Sequence, residues 1–179
     1  MGVSRRRLLG TALALPAASL LQASSDPVAE LVDQIRNSMM HGQSGVAEVL
    51  ARLISNPAKL LAVLGTPAEG GITPLYNDFQ ITILNIVWAP LMVLRLHDHN
   101  MWASVGVYGG REDNVFWEPG NDSIRAKSAA SLGTGEVGSL ARDAIHSVIN
   151  PTRKLTGAIH VYGGDFFHLR DRRSERVRR

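Results

Sequence analysis

The apolar positions change period once along the chain. From Asp26 they recur every three to four residues, at Val28, Leu31, Val32, Ile35 and Met39, behind an Asp suited to cap a helix and a Pro27 suited to its first turn. A second helix is expected after Ser44 through Val46, Val49, Leu50, Leu53 and Ile54. A third is expected behind Asn56-Pro57 through Leu60, Leu61 and Leu64, stopping at Gly65. Beyond Thr66-Pro67-Ala68-Glu69-Gly70-Gly71 the period becomes two, in β-branched and aromatic runs separated by Gly, Pro, Asn and Asp. These runs predict strands over 79–88, 91–99, 103–108, 114–118, 123–128, 144–150 and 157–162. About seven to nine short strands with no helix between them indicate an antiparallel sandwich or barrel. The expected organisation is a helical layer over 26–66 packed on a β body over 72–169.

Composition agrees with one folded unit: 179 residues, 45% hydrophobic and 20% charged, suit a single globular domain. The net charge of +3 comes from the ends, since Arg5–Arg7 contribute +3 and the tail over 170–179 contributes +4, leaving the body at −4. An acidic body lacks the basic face of a nucleic-acid-binding domain, so no nucleic-acid partner is expected. There is no cysteine, which removes disulfides, thiolate metal sites and a cysteine nucleophile. The apolar run over 8–21 is interrupted by Gly10 and Pro16 and falls short of the roughly 18 residues of a membrane span. Preceded by Ser4-Arg5-Arg6-Arg7 and followed by Leu21-Gln22-Ala23, it resembles a twin-arginine export signal over 1–23. Periplasmic export is one expectation; an uncleaved helix on a cytoplasmic protein is the other.

The candidate chemistry lies in the histidines. Four of the six, His97, His99, His146 and His160, fall in the β region before its end. In His97-Asp98-His99 the two imidazoles are two residues apart, so on a strand they share a face and can reach one ion together. Neutral imidazole suits Fe, Zn, Cu and Ni. The third ligand is either His146 or His160, and spacing alone permits both.

His97-x-His99 followed by Gly106, and His146 with Asn150 four residues on, resemble the two signature motifs of the cupin superfamily. Met101-Trp102-Ala103-Ser104 occupies the stretch where many cupins carry a Glu ligand. That departure points to the three-histidine branch. With Trp88 and Ile159-His160-Val161-Tyr162, the sequence over about 72–167 is similar to the cysteine dioxygenase type of thiol dioxygenase. The resemblance implies a mainly β fold, the cupin double-stranded β-helix or jelly-roll barrel, with an N-terminal α-helical layer. It also implies iron(II), Fe(2+), on His97, His99 and His146, with His160 and Tyr162 beside the substrate. The implied reaction adds O2 to the sulfur of a small thiol to give a sulfinic acid. Three neutral imidazoles leave the ion's charge uncompensated, which favours binding a thiolate. Tyr162, two residues from His160 and on the same strand face, could hydrogen-bond a ligand on the open side.

This chain departs from the family in three places. Ala158 stands where a Ser often precedes the His, no Cys can crosslink to Tyr162, and Asn77-Asp78 follows Tyr76 where the family places a carboxylate-binding Arg. Two other arginines are candidates for that task. Arg95 shares strand parity with His97 and His99, and Arg153 lies in the turn Pro151-Thr152-Arg153-Lys154. Expected substrates are therefore thiol carboxylates such as cysteine, 3-mercaptopropionate or mercaptosuccinate, handled by a monomer or small homo-oligomer. The alternatives are a cupin enzyme on a non-thiol substrate and a non-catalytic metal- or ligand-binding cupin, because fold does not fix function.

Overall fold

The computed structural model describes residues 26–121 and 123–168; the expected signal over 1–23 and the basic tail over 170–179 lie outside the described residues. Three helices come first, α1 Pro27–Ser38, α2 Gly42–Ile54 and α3 Pro57–Leu64, with a short 3-10 turn Met39–His41 between the first two. Asp26 caps α1 by accepting from the Val28 N–H at 2.9 Å, and Asn56 caps α3 by accepting from the Lys59 N–H at 3.1 Å. Each cap satisfies a backbone donor that the helix itself leaves open. α2 begins at Gly42, two residues ahead of the expected Ser44.

Nine strands follow among the described residues: β1 Gly71–Asn77, β2 Thr82–Trp88, β3 Val93–Asp98, β4 Ala103–Gly109, β5 Arg111–Pro119, β6 Ile124–Gly133, β7 Val137–Leu140, β8 Ile145–Ile149 and β9 Thr156–Tyr162. Two of them have no counterpart in the sequence reading. β1 is an exposed edge strand carrying Pro74, with a bulge between Pro74 and Tyr76, and Pro in a run argues against a strand unless it lies on an edge. β7 has only four residues, one of them Gly138, and pairs with β4 alone.

The strands form two antiparallel sheets, ordered β1-β2-β9-β4-β7 and β3-β8-β5-β6. From β2 to β9 the chain passes repeatedly between the sheets, and this is the strand order of a double-stranded β-helix or jelly roll. The first sheet is covered on both faces. Ile83, Tyr108, Ile159 and Val161 pack under Ile35, Leu50 and Ile54 of the helices. Leu84, Ile86, Val105, Val107 and Ala158 face the second sheet and share one core with its Val148. Gly106 makes the helix contact possible, because a Cβ there would stand 3.2 Å from Ile54 and 3.4 Å from Leu50. Strand alternation then fixes the site. On β9, Ile159 and Val161 are committed to the helical layer, so Ala158, His160 and Tyr162 must face the space between the sheets.

Candidate metal centre

β3 and β8 place the three ligand candidates. His97 lies directly opposite His146 in their pairing, and His99 follows the end of β3. One ligand atom from each of His97, His99 and His146 can be chosen so that all lie within 4.8 Å of one another. His99 Nε2 and His146 Nε2 are 3.0 Å apart. This is the separation expected of adjacent ligands at about 2.1 Å from one ion, which is about 3 Å on an octahedron.

The outer nitrogens are held so that the inner ones carry lone pairs. His97 Nδ1 donates to the Arg95 carbonyl at 2.8 Å, and a carbonyl can only accept. His146 Nδ1 donates to Asn114 Oδ1 at 2.8 Å. The His146 ring therefore turns its Nε2 lone pair toward His99, and the 3.0 Å between their Nε2 atoms can be closed by an N–H···N hydrogen bond or by a shared cation. Burial, then the neighbouring His97 and His160, lower the His146 pKa to about 4, against the opposing pull of Glu112. His146 is thus neutral at physiological pH and ready to ligate without losing a proton. The residues present fit a divalent ion.

His160 does not share this role. Its Nε2 lies 3.3 Å from Glu112 Oε2, an ion-pair contact without hydrogen-bond alignment, and its Nδ1 lies 3.4 Å from the Tyr162 hydroxyl. Both ring nitrogens face protein partners. The Tyr162 ring lies against His99, centroids 4.9 Å apart, so its hydroxyl-bearing ring borders the ligand cluster from the opposite sheet.

These groups open on a cavity of about 290 Å³. His97, Asp98, His99, His146, His160 and Tyr162 supply its polar wall; Ile72, Ile86, Leu94, Val105, Val148 and Phe166 are among its apolar residues. Among the described residues no Lys or Arg lines it.

The structure does not bring Arg95 to this cavity. Three residue steps from Leu94 to His97 on β3 face two steps from Val148 to His146 on β8, so a bulge intervenes and parity is inverted across it. Leu94, not Arg95, joins His97 on the cavity wall, while Arg95 is exposed. Arg153 is likewise exposed in its turn and lines no part of the cavity. That turn is tied by Asn150, whose Nδ2 donates to the Trp88, Ala89 and Lys154 carbonyls at 3.2, 2.9 and 2.8 Å. Asn150 thus fastens this loop.

Two residues of the site went unread in the sequence. The stretch 108–113 reads as a hairpin turn, but β4 and β5 lie in different sheets, and the chain crosses between them at Gly110 alone, at φ +83°, so that β5 begins at Arg111. Glu112 and Asn114 therefore point inward and are buried. Glu112 accepts from the Trp88 indole N–H at 2.6 Å and from Asn114 Nδ2 at 3.0 Å. Burial alone would raise its pKa; the contact with His160 and the hydrogen bonds from Trp88 and Asn114 outweigh it and hold the carboxyl at about 2.

A stability prediction follows from that depression. Glu112 has a lower pKa folded than its ordinary 4.5, so the stability it contributes is present above about pH 4.5 and is lost as pH falls toward 2. In chelator-treated protein, urea unfolding from pH 6 to 2.5 is expected to show a steeper acid decline for the parent than for Glu112→Gln. Equal slopes would remove Glu112 from the acid response.

Neither a protein-family model nor a curated protein sequence matches this chain. Solved structures do match it. Its structural neighbours are cupin-fold proteins. They include the cupin domain of Schizosaccharomyces pombe Cnp3, at 9% identity over 56% of this chain and 65% of that one, with a TM-score of 0.45. An RmlC-like cupin with a double-stranded β-helix fold from Methanocaldococcus jannaschii matches at 12% identity, 59% and 90% coverage and a TM-score of 0.47. An oxalate decarboxylase variant from Bacillus subtilis matches at 13% identity and a TM-score of 0.45, over 55% of this chain and only 26% of that protein. The chain thus spans less than two thirds of two of these cupin-fold neighbours.

Proposed function

We propose that this protein is an iron(II)-dependent dioxygenase that adds O2 to the sulfur of a small thiol. The observation that carries the reading is the juxtaposition of three imidazoles from one sheet with the Tyr162–His160 pair from the other, across one cavity. The similarity of the His97-x-His99, His146 and His160-x-Tyr162 motifs to thiol dioxygenases supports it. So does the donor set, which suits a divalent ion but leaves its charge uncompensated.

His97, His99 and His146 would hold the ion. When bound, it would supply a Lewis-acid centre that favours the thiolate form of a substrate and brings it beside O2. The remaining work falls to the chain itself. Apolar residues such as Ile86, Val105 and Phe166 limit water at the reacting sulfur. Tyr162 holds a phenolic proton at the cavity wall, oriented by His160 Nδ1. The balance is a thiol plus O2 giving a sulfinic acid: sulfur loses four electrons, O2 gains four, and both oxygen atoms end on sulfur. No external reductant is needed.

Substrate selection is drawn more broadly than the sequence suggested, since neither Arg95 nor Arg153 reaches the cavity. The test is oxygen uptake by the full chain, loaded anaerobically with iron(II), over thiols with and without a carboxylate, with product mass analysis. The expected result is one O2 consumed per thiol and a product carrying both oxygen atoms. No uptake at stoichiometric iron would favour a non-thiol oxygenase or a binding protein.

A further inference from the structure

Glu112 is fully buried, and a buried carboxylate is costly unless its charge is met on every side. Here its two oxygens serve different groups. Oε1 accepts from Asn114, and Oε2 accepts from Trp88 and contacts His160. We infer that Glu112 is a positioning residue: it sets which nitrogen of His146 carries the proton, through Asn114, and with its other oxygen it orients His160 beside Tyr162.

The first arm follows from donor and acceptor rules. A carboxylate only accepts, so Asn114 must turn its NH2 toward Glu112. Its carbonyl oxygen is then the atom left for His146, and it can only accept from His146 Nδ1–H, at 2.8 Å. With that proton fixed on Nδ1, the lone pair of Nε2 points at His99 and the ligand cluster. A neutral amide at 112 would remove the constraint, because it could offer either a donor or an acceptor and Asn114 could reverse.

The second arm reaches the other sheet. Oε2 lies 3.3 Å from His160 Nε2 and leaves Nδ1 to Tyr162. Ala158, two residues before His160, has no group to do this, so the carboxylate from β5 is the polar partner on that side. The inference rests on the metal centre but not on thiol oxidation, and its readouts keep the two apart.

The experiment uses the full chain with zinc(II) as probe. Chelator competition should give a zinc affinity about ten- to a hundredfold weaker for Glu112→Gln than for the parent, the range usual when a ligand loses its outer hydrogen-bond partner. Nitrogen-15 histidine spectra of the metal-free protein should show His146 protonated on Nδ1 in the parent and distributed between both nitrogens in the variant. A merely structural role would leave that distribution unchanged. Asn114→Ala cuts the first arm alone and should reproduce both effects, which keeps the question open to test even if Glu112→Gln fails to fold. Parent-like zinc affinity and a retained Nδ1 proton, in whichever of the two variants folds, would overturn the inference.

Discussion

If the proposed function holds, replacing His146 by Ala is expected to remove the bound ion and all turnover. Apparent binding energies of about 10–16 kcal/mol shared among four ligands assign roughly 3 kcal/mol to each, or about two orders of magnitude in affinity. Two further losses accompany it. His97 and His99 alone leave the ion to solvent, and Asn114 Oδ1 loses the donor it holds at 2.8 Å. Metal content after gel filtration is the measurement, with His160→Ala as the control. That control should retain its ion, because His160 has Glu112 on one nitrogen and Tyr162 on the other. A His146→Ala protein with full metal, beside an empty His160→Ala protein, would exchange the two roles.

The second large effect is on chemistry rather than binding. Tyr162→Phe should lower kcat by about a hundredfold, at the lower end of what a positioned proton donor contributes, and leave metal content intact. The ring is retained, so its packing on His99 and Phe166 is retained too. Only the hydroxyl is lost, together with its 3.4 Å contact to His160. Steady-state oxygen uptake with metal analysis on the same sample separates the possibilities. An unchanged kcat would take the phenol out of the reaction.

Much of this site was legible because periodicity carries direction. The spacing of His160 and Tyr162 puts both on one strand face, that of His97 and His99 brings both imidazoles to one cluster although His99 lies just past the end of β3, and Asp26 and Asn56 announce their helices. The illegible parts are those where periodicity breaks or polarity conceals it. Nothing in Val93-Leu94-Arg95-Leu96 reveals the bulge that turns Arg95 away, since a bulge is a property of the pairing with β8 and not of the strand alone. Glu112 and Asn114 were hidden differently. Arg111-Glu112-Asp113-Asn114 is uniformly polar, yet Arg111 and Asp113 form an ion pair at 2.7 Å on the outside while Glu112 and Asn114 face inward. A period of two was present, but hydrophobicity could not report it.

The contacts of Glu112 also bear on how the two sheets are held against each other. Apolar layers tolerate a small slide, since one methyl group replaces another at little cost. A carboxylate from β5 that accepts a 2.6 Å hydrogen bond from the Trp88 indole of β2 does not, because that bond depends on direction and weakens steeply as it bends. At this end of the sandwich the interlayer shear is therefore locked by charge. The gap between the imidazole cluster on one sheet and the phenol on the other is set mechanically, in advance of any ligand.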